Sequence, residues 1–468
     1  MTDNHSYETP EKGAPDWNVP LNNNFERLDR DVEIRDKEAN LNEYKPKSGA
    51  KFLATDTESA FIADGNRWFR LSSTGRDPTF NSVQTNTLNG VPVLTDEGDP
   101  QATLDAAADA DVGEVWVAEP VELSEPLVIP RGLTVRGNGV YDWINRTPHG
   151  AGFYGDVDGE LVSIERWGRL TGLRVENRAD GGVGIRCNGY TVVDNCHVFA
   201  RGIGLHTLRK DQWDAETKIR ANTFISDTGS GTGSKGVYTN NVPDIECHNN
   251  MVVGFETGIY LNKGEQQVTE NHVYTGTVDR IDYGFRFDGR VRLIGNKTDV
   301  CNVACVEFKT GFTEQIHNNR LLAGDGASCI HYNFSSPAKI SRSCITNNWF
   351  ASTTGGYVGD AAVKGTNVTG AYQTIIEANT AEDFRNTSIR TSNGGTVTIS
   401  AGSSSKTVNH GLVDSPRAQD IFITPQTPLG EGTTLYVGKI GADGFELSLN
   451  TNPGRDVRVS WSASLRDN

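Results

Sequence analysis

The chain has 468 residues, more than one compact core usually holds, so we expect two or more domains or an elongated repeat. Its 44 basic and 60 acidic residues give a net charge of −16, which argues against a nucleic-acid-binding protein and against docking on an anionic membrane. No apolar run is long enough to span a bilayer. The first residues lack a basic and then apolar segment, so we expect no signal peptide.

Glycine is abundant, at 51 residues, and hydrophobic residues make up only 36% of the chain. This composition indicates short strands and many turns with few long helices. Only about 15 of the 44 basic residues are Lys. An acidic, Lys-poor surface is expected of a protein kept soluble in strong salt, where repulsion between like charges is screened. An acidic mesophilic protein remains the alternative.

The seven Cys all lie between Cys187 and Cys344, in contexts typical of apolar strands. No CxxC pair occurs, so the sequence supports neither a zinc site nor a redox motif. We expect free thiols that fill a core, and neither a metal nor another cofactor.

Residues 1–46 are predicted to contain a polar segment and then a helix from Pro20 to about Tyr44. The apolar positions of this helix follow the four-three spacing of a coiled coil: Leu21, Phe25, Leu28, Val32 and Ala39. Because about six helical turns are marginal in isolation, this seam is expected to pack against symmetry mates. An amphipathic helix docked on its own domain is the alternative.

Residues 47–75 are predicted to form a small β module, in which Asp64-Gly65 is a hairpin turn signal. Residues 76–98 are rich in Ser, Thr, Asn and Gly and are predicted to be an extended neck. Asp99-Pro100 indicates a helix start, since Asp is a preferred N-cap residue and Pro is favoured at the first helical position. Strands are expected next, over 114–117, 127–129 and 133–139.

A repeat without helices runs from about residue 160 to 390 and is the strongest signal in the sequence. Each unit has an apolar position, two further residues and then Asn, at Asn195, Asn222, Asn250, Asn271, Asn296, Asn319, Asn348 and Asn379. Between these residues lies a second element, a small residue followed by alternating apolar residues, as in Gly258-Ile259-Tyr260-Leu261.

Alternation with a period of two indicates strands with one inward face. A unit of this length cannot bury that face alone, whereas stacked parallel units form a solenoid with a continuous core. Asn is predicted at a bend between strands, where it tolerates a left-handed backbone and where stacked side chains hydrogen-bond along the axis. The sequence therefore predicts an all-β protein with a parallel β-helix over residues 99–392.

Residues 393–468 lose the Asn repeat but keep alternating strands, with turn signals at Asp443-Gly444 and Pro453-Gly454. This pattern predicts a small antiparallel β-sandwich. Tyr436 and Trp461 are its candidate glycan-binding residues, although strand alternation makes Trp461 equally suited to the core.

The sequence resembles two known groups of proteins. The segment Leu133-Thr134-Val135-Arg136-Gly137-Asn138-Gly139, with the helix before it, resembles the opening of pectate-lyase-like right-handed parallel β-helices, and the Asn repeat resembles the asparagine turn of that family. Leu21–Leu28 and the module through Trp68 resemble attachment regions of viral tail fibres. Val408-Asn409-His410-Gly411-Leu412 resembles a small terminal domain of phage tail fibres. With the acidic composition, the order of parts is similar to a tail fibre or tailspike of a virus that infects a halophilic archaeon.

This resemblance implies a homotrimer in the virion tail, attached through its N-terminus to other tail or baseplate proteins. It also implies binding to a host-surface glycan or glycoprotein, which some members of the group cleave as glycosidases or lyases. It implies neither a nucleic-acid partner nor membrane insertion.

Cleavage of a glycan by hydrolysis would need two carboxylates about 5–9 Å apart. The candidates are Asp211, Asp214 and Glu216, in a loop that interrupts the repeat beside Trp213, whose ring offers a face for a sugar. The alternative is an acidic surface loop of a salt-adapted protein. Because no carboxylate set stands out from the acidic background, we predict a non-enzymatic attachment protein, with a depolymerase as the alternative. Host contact is expected at the distal sandwich or, next, on the β-helix flank.

Overall fold

The computed structural model describes residues 16, 18–19, 22, 33–57, 59–73, 87–88, 91–142, 147–209, 216–226, 233–275, 281–352, 359–382, 384–385 and 388–465. The chain forms two compact units, Met1–Thr85 and Asn86–Asn468. Within the described ranges, no helix is both long enough and apolar enough to cross a membrane.

The first unit is a four-stranded sheet around an aromatic core. Its elements are β1 Glu33–Asp36, a 3-10 helix Glu38–Glu43, β2 Lys51–Ala54, β3 Ser59–Ala63 and β4 Trp68–Ser73. β1 pairs in parallel with β2, and β2, β3 and β4 pair antiparallel. The turn before β4 is held by the Asp64 carboxylate, which accepts the backbone N–H groups of Asn66 and Arg67.

The predicted helix from Pro20 to Tyr44 is wrong over residues 33–44, which contain β1 and the 3-10 helix, whereas Asn22 is helical. Of the predicted coiled-coil seam, Ala39 is described and lies in the 3-10 helix, and the other four positions lie outside the described residues. The strand forms because of Ile34, an apolar residue that falls at no position of the predicted coiled-coil seam. Ile34 and Leu41 pack against the core at Phe52, and pairing with β2 satisfies the β1 backbone.

The second unit begins with a hairpin and a capping helix: β5 Thr87–Leu88, β6 Val91–Leu94 and α1 Pro100–Asp109. The Asp99 carboxylate caps α1 by accepting the N–H groups of Gln101 and Ala102 at 2.9 and 3.1 Å, as the Asp-Pro pair predicts. Of the neck predicted over 76–98, residues 76–86 and 89–90 lie outside the described residues. The part over 91–94 is a strand instead, because Val93 pairs with Trp116 in β7 of the solenoid.

Short strands then follow in chain order from residue 114 to residue 382. The first are β7 Glu114–Val117, β8 Pro120–Glu122, β9 Leu127–Ile129, β10 Thr134–Gly137, β11 Gly139–Asp142, β12 Thr147–Gly150, β13 Gly152–Gly155, β14 Glu160–Ile164, β15 Arg169–Thr171, β16 Arg174–Asn177, β17 Val183–Cys187, β18 Val192–Asp194 and β19 His197–Ala200. Next come β20 Ile203–Leu208, β21 Lys218–Arg220, β22 Thr223–Ile225, β23 Lys235–Asn240, β24 Ile245–His248, β25 Met251–Val253, β26 Thr257–Thr269, β27 His272–Tyr274 and β28 Tyr283–Ile294. The last are β29 Lys297–Cys301, β30 Ala304–Phe308, β31 Gln315–His317, β32 Arg320–Ala323, β33 Ser328–Ser341, β34 Cys344–Thr346, β35 Trp349–Ser352, β36 Val363–Tyr372, β37 Ile375–Glu377 and β38 Thr380–Glu382.

These strands wind into a parallel β-helix with three faces. Sheet A contains β9, β14, β17, β20, β23, β30 and the first parts of β26, β28, β33 and β36. Sheet B contains β7, β10, β15, β18, β21, β24, β31, β34, β37 and the second parts of β26 and β28. Sheet C is the 11-stranded sheet from β8 to β38. The right-handed parallel β-helix predicted from the repeat is confirmed.

Small residues let successive coils approach where sheet C turns into sheet A. Gly236 shows why: a Cβ there would lie 2.2 Å from a Val252 methyl group and 2.7 Å from the carbonyl oxygen of Gly258. Cys305 takes this position in a later coil, beside Gly284. Six of the seven Cys are buried free thiols in one continuous apolar core.

An asparagine ladder lines the corner between sheets B and C. From Asn222 onward, each ladder Asn donates from its backbone N–H and from Nδ2 to Oδ1 of the Asn in the next coil, at 2.8–3.1 Å. The ladder ends at Asn379. At its other end, the backbone N–H of Cys196 donates to Oδ1 of Asn222 at 2.9 Å.

The left-handed residue of this corner is the one before the ladder residue. Ala221 and Glu270 have φ angles of 53° and 57°, so the left-handed backbone expected at Asn222 and Asn271 lies one position earlier. Asn195 itself has a φ of 52°, and Cys196 takes the ladder position in its coil. The left-handed residue exposes its side chain, whereas the ladder amide turns into the corner and satisfies buried backbone groups.

The C-terminal part is a sandwich of two three-stranded antiparallel sheets, as predicted. Its elements are β39 Ser392–Ile399, β40 Ser405–Asn409, a 3-10 helix Ala418–Asp420, β41 Ile421–Pro425, β42 Leu435–Ile440, β43 Gly444–Leu449 and β44 Val457–Ser464. Buried His410 accepts the Leu412 N–H at Nδ1 and donates from Nε2 to the Gly441 carbonyl oxygen, at 3.0 and 3.1 Å. The Asn-His-Gly-Leu motif is therefore a structural turn.

Candidate functional site

A continuous row of polar and aromatic side chains runs along the outer surface of sheet A. Parallel register places one member from each coil directly beside the next: Arg186, His206, Tyr238, Tyr260, Arg286, Glu307, His331 and Lys364. Each alternates with a fully buried neighbour such as Ile259 or Phe285. We call this set the sheet A row.

The centre of the row is a stack of rings. His206 and Tyr238 stack at 4.9 Å with an 18° interplanar angle, and Tyr238 and Tyr260 follow at 5.3 Å and 35°. The Arg286 guanidinium lies 5.1 Å from the Tyr260 ring centroid and 4.2 Å from that of Tyr283. Because the faces of these rings cover one another, the row presents ring edges, hydroxyls and cations to a ligand.

Glu307 is held in the row by three donors. Arg286 Nε donates to Oε2 at 2.8 Å, and Lys309 Nζ and Asn333 Nδ2 donate to Oε1 at 3.0 and 2.8 Å. Burial acts to raise the pKa of Glu307, but the Asn333 hydrogen bond and the Arg286 charge lower it overall. This carboxylate is ionised and already accepts three hydrogen bonds, so it anchors its neighbours and does not serve as a general acid.

Burial also sets the charge of the histidines in the row. Burial, and then the nearby Arg186 charge, lower the pKa of His206 to about 4. Burial and the Lys364 charge lower the pKa of His331, whose Nε2 lies 2.8 Å from the Thr366 hydroxyl. Both imidazoles are neutral at pH 7, and the permanent charge of this part of the row comes from its Arg and Lys side chains.

Polar atoms in and beside the row lack partners among the described residues. Nε2 of His206 and Oδ1 of Asn262 are buried without a hydrogen bond to any described group, and no described residue hydrogen-bonds the hydroxyls of Tyr238 or Tyr260. An unpaired buried polar atom costs about 1–3 kcal/mol. Such a cost is typical of a surface that a polar ligand or water completes.

The residues proposed from the sequence lie elsewhere. Asp211, Trp213 and Asp214 lie outside the described residues. Glu216 is exposed at the corner between sheets A and B. Tyr436 is 48% exposed on β42, whereas Trp461 packs edge to face on Phe445 at 5.5 Å.

The sequence prediction missed the sheet A row, although a signal was present. Each central member stands two positions after the small residue of the repeat, as in Gly236-Val237-Tyr238, Gly258-Ile259-Tyr260 and Gly284-Phe285-Arg286. Aligning the units on that small residue brings the polar and aromatic positions into one column. In the described parts of the chain, no group of three His, Cys, Asp or Glu side chains is arranged to hold a metal ion.

Comparisons with known proteins find matches among solved structures, at low sequence identity. No family model and no curated protein matches the chain. The Dettilon tailspike protein matches with 11% identity over 80% of this chain and 92% of that chain, at a TM-score of 0.49. The tailspike of Pseudomonas phage LKA1 matches with 13% identity over 76% and 67%, at 0.41. The tailspike of E. coli bacteriophage HK620, in complex with a pentasaccharide, matches with 11% identity over 79% and 90%, at 0.40. These likenesses concern the fold.

Proposed function

We propose that the chain is a receptor-binding tailspike of a virion, which attaches the particle to a host-surface glycan through the sheet A row. The observation that carries this proposal is the row itself. Its hydroxyls, neutral imidazoles and cations are fixed by stacking and by the Glu307 anchor, so little side-chain entropy is lost when a hydroxyl-rich ligand binds.

The same proposal includes a homotrimer in the virion tail. Three copies of a weak glycan site bind a repetitive polymer far more tightly than one. The N-terminal region, which resembles tail-attachment segments, would join the spike to other tail proteins. A net charge of −16 per chain and the scarcity of Lys support a virus of a salt-rich host. Tyr436 on the terminal sandwich is a second candidate for host contact.

The experiment that tests the row removes only hydroxyls. The double variant Tyr238→Phe, Tyr260→Phe keeps both rings in the stack and therefore keeps the fold. With each lost hydrogen bond worth about 1 kcal/mol, binding to a glycan should weaken on the order of tenfold or more. The control is Tyr372→Phe, an exposed tyrosine outside the row. Binding of the double variant at wild-type strength would refute this site.

A depolymerase is the second candidate function, and one observation favours it. Asp244 lies at the corner between sheets A and B, where partial desolvation of its carboxyl, together with the charges of Glu265 and Glu216, raises its pKa. Glycoside hydrolysis uses a carboxyl group with a raised pKa as its general acid, together with a second carboxyl group nearby. Incubation with host envelope glycan should then release new reducing ends, and Asp244→Asn should stop their release. Unchanged glycan after incubation with the wild-type protein would exclude this function for that glycan.

A further inference from the structure

The corner between sheets A and B carries an unusual series of side chains. Just before the sheet B strands, successive coils place one left-handed residue at equivalent register. These residues are Gly132, Trp167, Tyr190, Glu216 and Asp244, with φ angles of 78°, 65°, 48°, 48° and 57°. We call them the corner column.

Trp167 and Tyr190 are costly residues for this position. A bulky aromatic residue with positive φ is an outlier, because its Cβ crowds the backbone. The fold does not need the Trp167 side chain, since it contributes to no core cluster and is 54% exposed. Backbone strain retained with an exposed aromatic ring is typical of a functional position.

The two rings form a platform with one open face. The Trp167 and Tyr190 rings stack at 4.5 Å with a 16° interplanar angle, and the backbone N–H of Trp167 donates to the Tyr190 carbonyl oxygen at 3.1 Å. Tyr190 thus covers one face of the indole. The other face is directed toward the preceding coil, where the column residue is Gly132.

Gly132 keeps the open face of the indole clear. A Cβ built on Gly132 would meet no atom within 4 Å. The coil spacing of about 4.8 Å is close to the separation at which Trp167 and Tyr190 already stack. The space above Gly132 therefore accommodates one further ring on the indole, with the same spacing as the ring beneath it.

The far end of the column carries carboxylates. Glu216 and Asp244 are both exposed and are close enough for their charges to interact. Carboxylate oxygens accept hydrogen bonds from sugar hydroxyls, whereas they repel nucleic-acid phosphates. The chain as a whole, with a net charge of −16, also repels phosphates.

We propose that the corner column is a second glycan subsite, in which the apolar face of a pyranose ring stacks on Trp167 in the space left by Gly132. Tyr190 supports the opposite face of the indole, and Glu216 and Asp244 accept hydrogen bonds from hydroxyl groups of neighbouring sugars. This inference rests on the proposed glycan-binding function and extends it, because the sheet A row presents ring edges and no open aromatic face.

The test uses the intact chain on an array of purified microbial capsular polysaccharides and O-antigens. Trp167→Ala removes the platform and should weaken binding about tenfold. Gly132→Tyr keeps Trp167 but places a third ring on its open face, and Tyr190 shows that this corner tolerates Tyr with a positive φ. It should weaken binding to a similar extent. Tyr372→Ala removes an exposed aromatic side chain near the other end of the solenoid and should have no effect.

The outcomes separate the two proposals. Thermal melting of each variant at the wild-type temperature shows that the solenoid is intact, and a Trp167→Tyr variant should retain part of the binding. If the wild-type chain binds a polysaccharide and both Trp167→Ala and Gly132→Tyr bind it equally well, the corner subsite is refuted while the sheet A row stands. If the wild-type chain binds no polysaccharide on the array, the glycan function and this subsite are both overturned.

Discussion

Replacing Asn271 with Leu tests the asparagine ladder at its middle. Oδ1 of Asn271 accepts the backbone N–H of Asn250 at 2.9 Å, and its Nδ2 donates to the carbonyl oxygen of Cys247 at 2.9 Å. Leu has a similar volume but makes neither bond. Because Asn271 is only 1% exposed, water cannot replace the lost partners.

The expected cost follows from the two backbone groups that lose these partners. Each buried group left without a hydrogen bond costs about 1–3 kcal/mol, so the variant should lose about 2–6 kcal/mol. The backbone strain of this corner is not part of the loss, because it lies at Glu270 and is unchanged. Native domains are stable by only about 5–15 kcal/mol, so such a loss is readily measured.

Asn379→Leu is the matched control, at the end of the same ladder. Asn379 accepts from Asn348 at 3.0 and 2.9 Å, but it is half-exposed, so water can replace part of what is lost. Its cost should be near 1 kcal/mol. Urea unfolding followed by circular dichroism gives both values, and hydrogen exchange at the Asn250 amide reports the local loss. Equal stability of the two variants would refute the argument that buried ladder bonds hold the coils together.

Three further predictions concern backbone strain, a buried acid and assembly. Ala221→Asn should stabilise the chain by about 1 kcal/mol in urea unfolding, because Asn tolerates the left-handed backbone that Ala221 adopts; a lower midpoint would contradict this. Burial raises the pKa of Glu314 from its ordinary value of 4.5 to about 7, so the stability that the protonated carboxyl contributes is complete below pH 4.5 and is lost as the pH rises through 7. Glu314→Gln should therefore be more stable than wild type at pH 8, on the order of 3 kcal/mol, and show little gain at pH 4; a pH-independent difference would refute this. Light scattering should give a trimer in multimolar salt, with a lower melting temperature at about 0.1 M salt; a monomeric mass would contradict the assembly.

The sequence predicted the fold through features that repeat and missed those that do not. The regular recurrence of Asn and the alternation of apolar residues in the strands identify the solenoid, because every coil turns through the same corner between sheets B and C. The sequence does not show that Asn195 stands one position before the ladder. Where two Asn are adjacent, at 249–250 and 318–319, the first is the left-handed residue and the second is the ladder residue, so either position fits the repeat. β1 was missed because one apolar residue, Ile34, decides its pairing. The sheet A row was missed because its members are brought together only by stacking of coils that differ in length.

A structure with bound oligosaccharide would show whether the flank of sheet A binds the host glycan. The oligosaccharide would be cut from a polysaccharide that the intact chain binds on the array. We predict that the bound sugar lies along sheet A, within hydrogen-bond distance of the Tyr238 and Tyr260 hydroxyls. Sugar bound only at the terminal sandwich, beside Tyr436, would refute the glycan site on sheet A.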